Sequence, residues 1–478
     1  MHRPFRRGRS GPVGQPRTLA LNTIHRTDPV ISLLRMGRRG CGAVLLSLAT
    51  TAPAVGQASA PQARGPLPVV RATSKVVDIR EGKVLRRGIW NISPEVRPDV
   101  YVVPHVSRPT RVTFRTDTDS ISATLARGDS IDFVVLLNGR DSAYTRITTL
   151  DPNAPVFTRV GAHARASEDT IPFTFGRGGK IFVTGSVNGS RPLRLMFDIG
   201  ATGLVLAKSA LRKGAAVRFD GTEENGAFGG TQTAPRSSRN VLEIGGARWS
   251  GIPAILLERA DGDGIVGYNA VDGRVVEIDY DRRRIILRDT LPPMDAGYAA
   301  LDVEWEGGLM FVNAAVTGTG APHAARLELD TGASWSVYLQ SAFAAAVGTN
   351  GLEKLGVRGS HGMGARRQTT DLVRLRSLRL GAHELRGVPA DVEHPSGEQP
   401  RGDGNLGIDV LRRFNTVLDM RDYRIYLKPN GLVNAPYDES TPPPPWLVAG
   451  GALLALAGAG YLAFRLIRRR RAARSQAA

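Results

Sequence analysis

Most of the chain alternates apolar and polar residues with the period of β-strands that bury one face. Examples are 111–115 and 131–137 early in the chain and 180–187 later. Asn138-Gly139 and Asn188-Gly189 follow two of these runs, and this dipeptide favours tight hairpin turns. The 55 glycines and 30 prolines also favour many turns and short strands over long helices. The pattern predicts a mostly β protein.

The N-terminal end departs from the strand pattern. Residues 1–60 predict a signal or targeting segment, in which an apolar stretch beginning at 43–49 is too short to span a bilayer. Small residues near Ala58 and Ala60 provide cleavage sites, and Met36 is an alternative translation start. We therefore expect an exported protein.

The C-terminal end predicts a membrane anchor. Residues 431–445 read as a proline-rich linker, 446–467 as a transmembrane helix and 468–478 as a basic cytoplasmic tail. Because positive residues remain on the cytoplasmic side, the body is expected on the periplasmic or other extracytoplasmic side. The expected product is an exported domain held by a single-pass tail.

The formal charge of +19 is concentrated at the two ends. Nine arginines against Asp28 give residues 1–60 a net charge of +8, and six arginines give 465–478 a net charge of +6. The body between them carries only +5, which argues against nucleic acid as a partner. The single cysteine, Cys41, lies in the segment expected to be removed, so no disulfide is expected in the mature chain.

One strand-to-turn pattern occurs twice. Residues 194–205 contain Asp198-Ile199-Gly200-Ala201, and residues 326–337 contain Asp330-Thr331-Gly332-Ala333. Each copy is an alternating strand that brings an aspartate to a tight, glycine-containing turn, where glycine allows the backbone to bend beside the carboxylate.

The features after each aspartate also come in one order. A glycine-rich loop, a strand with a turn, an apolar-apolar-Gly segment and a final hairpin follow both Asp198 and Asp330. This repeat predicts two equivalent lobes, 167–290 and 291–430, preceded by an N-terminal β domain at 61–166.

The repeated motifs resemble those of the pepsin and retropepsin superfamily of aspartic proteases, over about 171–428. The matching positions are Asp198, Gly200, Ala201, Asp330, Thr331, Gly332 and Ala333 in the turns, Gly267 and Gly407 in the apolar-apolar-Gly segments, and Phe228, Gly229, Met363 and Gly364 as flap candidates. The resemblance implies two tandem β-barrel lobes. The N-terminal β domain and the C-terminal transmembrane helix lie outside the region of resemblance.

The resemblance also implies a chemistry. One aspartate from each lobe meets the other, and the pair shares a proton because two charges so close cannot both ionise. The charged carboxylate activates water and the protonated one polarises the scissile carbonyl. The expected activity is that of an aspartic endopeptidase on protein or peptide substrates. It needs no metal or other cofactor, and both lobes lie in one chain, so the active unit is expected to be a monomer.

Three departures from the family pattern bear on activity. Ile199 stands where the family has Thr or Ser, so only Thr331 can donate a hydroxyl across the lobes. Ala201 and Ala333 are as in retropepsins, whereas pepsins have Ser there, and this predicts activity nearer neutral than strongly acidic pH. Neither flap candidate shows the tyrosine that pepsins use. The alternative is a membrane-anchored peptide-binding pseudoprotease without catalysis; a glycosidase, which also uses two carboxylates, is a distant third.

Overall fold

The computed structural model describes residues 66–103, 106, 108–151, 154–227, 230–306, 308–361, 367–394 and 402–440. The predicted targeting segment, transmembrane helix and basic tail lie outside these residues. Within the ranges described, no helix is long and apolar enough to cross a membrane. The chain divides into two compact units, Met1–Asp151 and Pro152–Ala478.

The first unit is a pair of four-stranded sheets. Its strands are β1 (Val69–Ala72), β2 (Val76–Glu81), β3 (Val84–Asn91), β4 (Asp99–Val102), β5 (Thr110–Arg115), β6 (Ser120–Leu125), β7 (Ser130–Leu137) and β8 (Asp141–Thr148). One sheet has the order β1-β7-β8-β4, with β1 parallel to β7 and β4 parallel to β8. The other runs β3-β2-β5-β6 and is antiparallel throughout.

The apolar faces of these strands form one core. Phe114 and Phe133 are fully buried with ring centroids 4.9 Å apart, and Tyr101 packs edge-on against Phe114 at 5.3 Å. Asn138 and Gly139 take positive φ angles of 53° and 68°, as a tight hairpin between β7 and β8 requires. The hairpin expected from this dipeptide is confirmed.

The second unit contains the duplicated lobes. Lobe 1 consists of β9 (Val156–Arg159), β10 (Glu168–Phe175), β11 (Ile181–Val187), β12 (Leu193–Phe197), β13 (Leu204–Ala207), α1 (Lys208–Arg212), β14 (Gly221–Ala227), β15 (Gly230–Ile244), β16 (Ala247–Leu257), β17 (Gly264–Val266), β18 (Val275–Asp279) and β19 (Arg284–Arg288). Short 3-10 turns lie at Gly161–His163, Arg177–Gly179 and Tyr268–Ala270. Asn188 and Gly189, in the turn between β11 and β12, also have positive φ angles, of 50° and 73°.

Lobe 2 repeats this order of elements. It consists of β20 (Ala299–Glu306), β21 (Leu309–Thr317), β22 (His323–Asp330), β23 (Val337–Leu339), α2 (Ser341–Val347), β24 (Lys354–His361), β25 (Arg367–Leu380), β26 (His383–Glu393), β27 (Gly404–Gly407), α3 (Ile408–Leu411), β28 (Phe414–Asp419) and β29 (Arg424–Pro429), with a 3-10 turn at Thr349–Gly351. The mostly β architecture predicted from the sequence is confirmed.

The three strand pairings around each aspartate match between the two lobes. In lobe 1, β12 is parallel to β17, β13 is parallel to β16, and β13 is antiparallel to β17. In lobe 2, β22 is parallel to β27, β23 is parallel to β26, and β23 is antiparallel to β27. The sequence repeat is therefore a repeat of topology.

A six-stranded antiparallel sheet joins the lobes. Its order is β10-β19-β18-β28-β29-β20, with three strands from each lobe and β18 paired to β28 at the centre. Val276 lies opposite Leu418 in this central pair, and both side chains are buried. The shared sheet makes the two lobes one packed body, which is the condition for a site built from both.

The first compact unit ends at Asp151, earlier than the boundary at 166 expected from the sequence. The difference arises because β9 belongs to lobe 1, where it pairs antiparallel with β16. Phe157 of β9 packs edge-on against Trp249 of β16 at 5.3 Å. A four-residue strand between two domains offers no sequence signal that assigns it to one side or the other.

Candidate active site

Two equivalent strands carry the aspartates. Asp198 directly follows β12, and Asp330 is the last residue of β22. The parallel partners β17 and β27 align Phe197 with Val266 and Asp330 with Gly407. Both strands bury apolar side chains inside their lobes, so each brings its carboxylate to the end of a well-packed element.

The two carboxylates meet at one amide group. The N–H of Gly332 donates to Oδ1 of Asp198 at 3.0 Å and to Oδ1 of Asp330 at 2.9 Å. Each carboxylate also accepts an amide from its own turn, Gly200 for Asp198 and Ala333 for Asp330, both at 2.9 Å. The aspartates of the two sequence copies thus form one pair between the lobes.

Glycine is required in these turns because the opposing carboxylate comes close. A Cβ at Gly332 would lie 2.2 Å from Oδ2 of Asp198, and a Cβ at Gly200 would lie 3.0 Å from Oδ1 of Asp330. Neither glycine has a positive φ angle. Glycine is thus needed here because the opposite lobe comes close, and not because the turn bends tightly. The space for a side chain is smaller at Gly332 than at Gly200.

The cross-lobe hydroxyl contact runs in one direction. The Thr331 hydroxyl donates to the carbonyl of Phe197 at 3.3 Å and accepts the N–H of Ile199 at 2.9 Å. Thr331 and Ile199 are both buried, with 1% and 3% of their surfaces exposed. Because the Ile199 side chain has no polar atom, lobe 1 returns no equivalent bond to lobe 2.

The environment favours protonation of the pair. Asp198 is buried and Asp330 is half-buried. Burial raises the pKa of Asp198; burial and the neighbouring charge of Asp198 raise the pKa of Asp330 to about 7. The turn amides and the Lys180 ammonium group act in the opposite direction on the pKa values of both carboxyls. The pair therefore retains a proton at weakly acidic pH.

The apolar-apolar-Gly segments lie directly behind the turns. A Cβ at Gly267 would lie 2.4 Å from the carbonyl oxygen of Ala201, and a Cβ at Gly407 would lie 2.1 Å from that of Trp335. Tyr268 N–H donates to Ala201 at 2.9 Å, and Ile408 N–H donates to Ala333 at the same distance. At both of these glycines the backbone therefore lies directly against the backbone of the aspartate turn, and any side chain would push the two apart.

The flap candidates Phe228, Gly229, Met363 and Gly364 lie outside the described residues. The strands that lead to them are described. Strand β14 pairs with β15 as far as Ala227 opposite Gly230, and β24 pairs with β25 as far as His361 opposite Arg367. Both lobes therefore have a long hairpin at the place where the glycine-rich loops fall in the sequence.

Two residues at the site were not singled out from the sequence. Asn405 donates from Nδ2 to Oδ2 of Asp330 at 3.2 Å, and the Trp335 indole N–H donates to Oδ1 of Asn405. The available signal was the departure of Asn405-Leu406-Gly407 from the apolar pattern, since the equivalent residue of lobe 1 is Ile265.

Comparisons with known proteins agree with this architecture. Two segments, residues 183–270 and 312–410, match the profile of the Aspartyl protease family. Each segment contains one of the paired aspartates and one of the supporting glycines. The match to this family therefore falls on both of the duplicated lobes.

The match to individual proteins is weaker. No curated protein matches the chain. Among solved structures, the aspartic proteinase from Irpex lacteus is similar, with 13% identity over 56% of this chain and 99% of that chain, at a TM-score of 0.40.

Proposed function

We propose that this protein is an aspartic endopeptidase that hydrolyses peptide bonds with a water molecule activated between Asp198 and Asp330. The observation that carries the proposal is the Gly332 amide, which donates to both carboxylates at 3.0 and 2.9 Å. Two acidic groups held this close inside a folded core share a proton, which supplies one acid and one base at the same point.

The proposed reaction follows from that proton. The ionised carboxylate takes a proton from water as its oxygen attacks the carbonyl carbon, and the protonated carboxyl donates to the carbonyl oxygen. In the collapse of the tetrahedral intermediate, the carboxyl that took the water proton gives a proton to the amide nitrogen, the carbon–nitrogen bond breaks, and the other carboxylate takes a proton from one hydroxyl. The pair ends with one proton, as it began, and no covalent bond to the enzyme forms.

The match of both lobes to the Aspartyl protease family supports a protein or peptide as substrate. The long hairpins β14–β15 and β24–β25 offer strand edges with which an extended peptide can pair. The sequence of the two ends supports an exported domain that is anchored in the membrane by 446–467, with the lobes on the periplasmic side. Because one chain contains both aspartates, the proposed active unit is a monomer.

Cleavage of a peptide library, read by mass spectrometry, tests the proposal. Asp198→Asn and Asp330→Asn should each lower turnover by on the order of a thousandfold or more, since each removes one partner of the shared proton. Both variants keep the size of the side chain, and their thermal unfolding checks that they are folded. Cleavage that persists at the wild-type rate in either variant would contradict the proposal.

The second candidate function is peptide binding without catalysis, and Ile199 is the observation that favours it. The one-sided hydroxyl contact, which runs from Thr331 alone, could be the trace of a decayed site. Under that reading the wild-type protein binds library peptides but releases them intact. The Asp330→Asn variant then binds the same peptides as wild type, and no cleavage is found in either sample.

A further inference from the structure

The strands behind the two aspartates differ at one position. In lobe 1 this position is Ile265, which is buried among apolar side chains. In lobe 2 it is Asn405, two residues before Gly407 as Ile265 is two residues before Gly267. Strand β27 lies parallel to β22, with Asn405 opposite Glu328 and Gly407 opposite Asp330. The amide of Asn405 therefore enters the site from behind Asp330 only.

The contacts of Asn405 set the direction of its hydrogen bonds. An indole N–H can only donate, so the atom of Asn405 that meets Trp335 is the carbonyl oxygen Oδ1. The NH₂ group then faces Oδ2 of Asp330, at 3.2 Å, and it too can only donate. Oδ2 of Asp330 must act as an acceptor. The orientation of the Asn405 amide thus follows from the chemistry of its neighbour.

The packing around Trp335 holds this arrangement in place. A Cβ at Gly407 would lie 2.7 Å from Cδ1 of the Trp335 indole, so the ring can sit there only over a glycine. Tyr338 also packs against this indole, with ring centroids 5.4 Å apart. Contacts with Gly407 and Tyr338 together hold the indole so that its N–H donates to Asn405.

We propose that Asn405, oriented by Trp335, is a positioning residue that keeps Oδ2 of Asp330 a hydrogen-bond acceptor and so directs the shared proton to the other carboxylate oxygens. Oδ1 of Asp330 already accepts the amides of Gly332 and Ala333, both at 2.9 Å, and Ala333 offers no side-chain donor. Asn405 supplies the donor that the turn itself lacks.

The catalytic role of Asn405 rests on the proposed function. Its effect on the pKa of Asp330 can be measured without any turnover of substrate. A donor to the ionised carboxylate favours that form and lowers the pKa of Asp330. It opposes the upward effect of burial and of the Asp198 charge. Asn405 should therefore move the pH range in which the pair holds one proton toward lower pH.

The first test is the pH profile of kcat/KM for full-length protein carrying Asn405→Leu, measured with a peptide that wild type cleaves. The profile should move to higher pH by about one unit, because loss of a hydrogen bond to a charged group is an effect of that size. Ile265→Leu, at the equivalent position of lobe 1, is the matched control and should leave the profile in place. An unmoved profile, or a shift to lower pH, would overturn the inference.

The second test reads the carboxyl group directly. The ¹³C resonance of the Asp330 side chain, identified by its loss in Asp330→Asn, is followed against pH in wild type and Asn405→Leu. Its midpoint should rise by about one pH unit in the variant. If that rise occurs but wild type cleaves no peptide, the proposed function fails and the role of Asn405 stands. If peptides are cleaved but the midpoint does not move, the role of Asn405 fails alone.

A milder variant covers the case in which Asn405→Leu does not fold. Trp335→Phe keeps an aromatic ring over Gly407 and removes only the N–H that orients the Asn405 amide. The titration midpoint of Asp330 should rise above that of wild type, by less than about one pH unit, because the Asn405 amide is then free to turn. A midpoint equal to that of wild type would show that the indole does not orient Asn405.

Discussion

The two active-site turns have the same strands behind them but unequal hydrogen bonding. The turn of lobe 2 sends the Thr331 hydroxyl and the Gly332 amide across to lobe 1. The turn of lobe 1 returns no side-chain donor, because Ile199 stands opposite Thr331. The two copies therefore have different roles. Lobe 2 supplies the hydrogen bonds that hold the two turns together, and lobe 1 contributes mainly its carboxylate.

The first prediction compares the two turn glycines and has the largest expected effect. Gly332→Ala should lower kcat/KM by on the order of a hundredfold or more, because its Cβ would lie 2.2 Å from Oδ2 of Asp198 and must displace that carboxylate. Gly200→Ala should lower it less, since the corresponding distance to Asp330 is 3.0 Å. Steady-state kinetics on one peptide measures both. Equal losses of kcat/KM in the two variants would contradict the inferred difference between the turns.

The second prediction compares the carboxylates by the pH dependence of stability. The fold raises the pKa of Asp330 from its ordinary 3.8 to about 7, so between those pH values the native chain holds a proton that the unfolded chain releases. The proton on Asp330 therefore contributes fully to stability below pH 4, and this contribution is lost as the pH rises through 7. The free energy of unfolding should fall by roughly 2–4 kcal/mol over this range. Denaturant unfolding at several pH values measures it.

Two variants separate the causes of that pH dependence. Asp330→Asn should make this loss of stability smaller, and the part that remains comes from Asp198, whose pKa burial also raises. Asp198→Asn should also make the loss smaller and move it to lower pH, because the charge of Asp198 helps to raise the pKa of Asp330. A wild-type stability that rises between pH 4 and pH 7, and rises more than that of Asp330→Asn, would contradict the assigned direction.

The third prediction concerns the hydroxyl that crosses the lobes. Thr331→Val should lower the free energy of unfolding by about 1–3 kcal/mol, because it leaves the buried N–H of Ile199 without its acceptor. Activity should fall as well, since the same bond aligns the two turns. Thr331→Ser keeps the hydroxyl and serves as the control. A Thr331→Val protein as stable as Thr331→Ser would show that the contact does not join the lobes.

The smallest expected effect is a repair of the lobe 1 turn. Ile199→Thr introduces the missing hydroxyl and should raise the free energy of unfolding by about 0.5–1 kcal/mol relative to Ile199→Val, which shortens the side chain without adding a donor. Thermal unfolding of both variants gives the difference. If Ile199→Thr is the less stable of the two, the backbone opposite Ile199 offers no partner, and the asymmetry is built into the turn.

Much of the fold could be predicted because its signals are local. Asn138-Gly139 and Asn188-Gly189 take the positive φ angles of hairpin turns, and residues of this type adopt that conformation readily. Asp198 and Asp330 are predicted because the same Asp-Xaa-Gly-Ala turn occurs twice and is followed by the same features in the same order. Assignment of β9 to lobe 1 could not be predicted, since its pairing with β16 is a contact between distant segments.

The sequence by itself determined that two similar lobes each bring one aspartate to a glycine turn, because strand period and turn chemistry depend on near neighbours. Only the tertiary structure decided that one amide, of Gly332, donates to both carboxylates and that Asn405 donates to Asp330. These bonds join residues 134 and 75 positions apart, so they exist only once β12, β22 and β27 are packed together. Their partners follow from the packing of the lobes, which no single segment specifies.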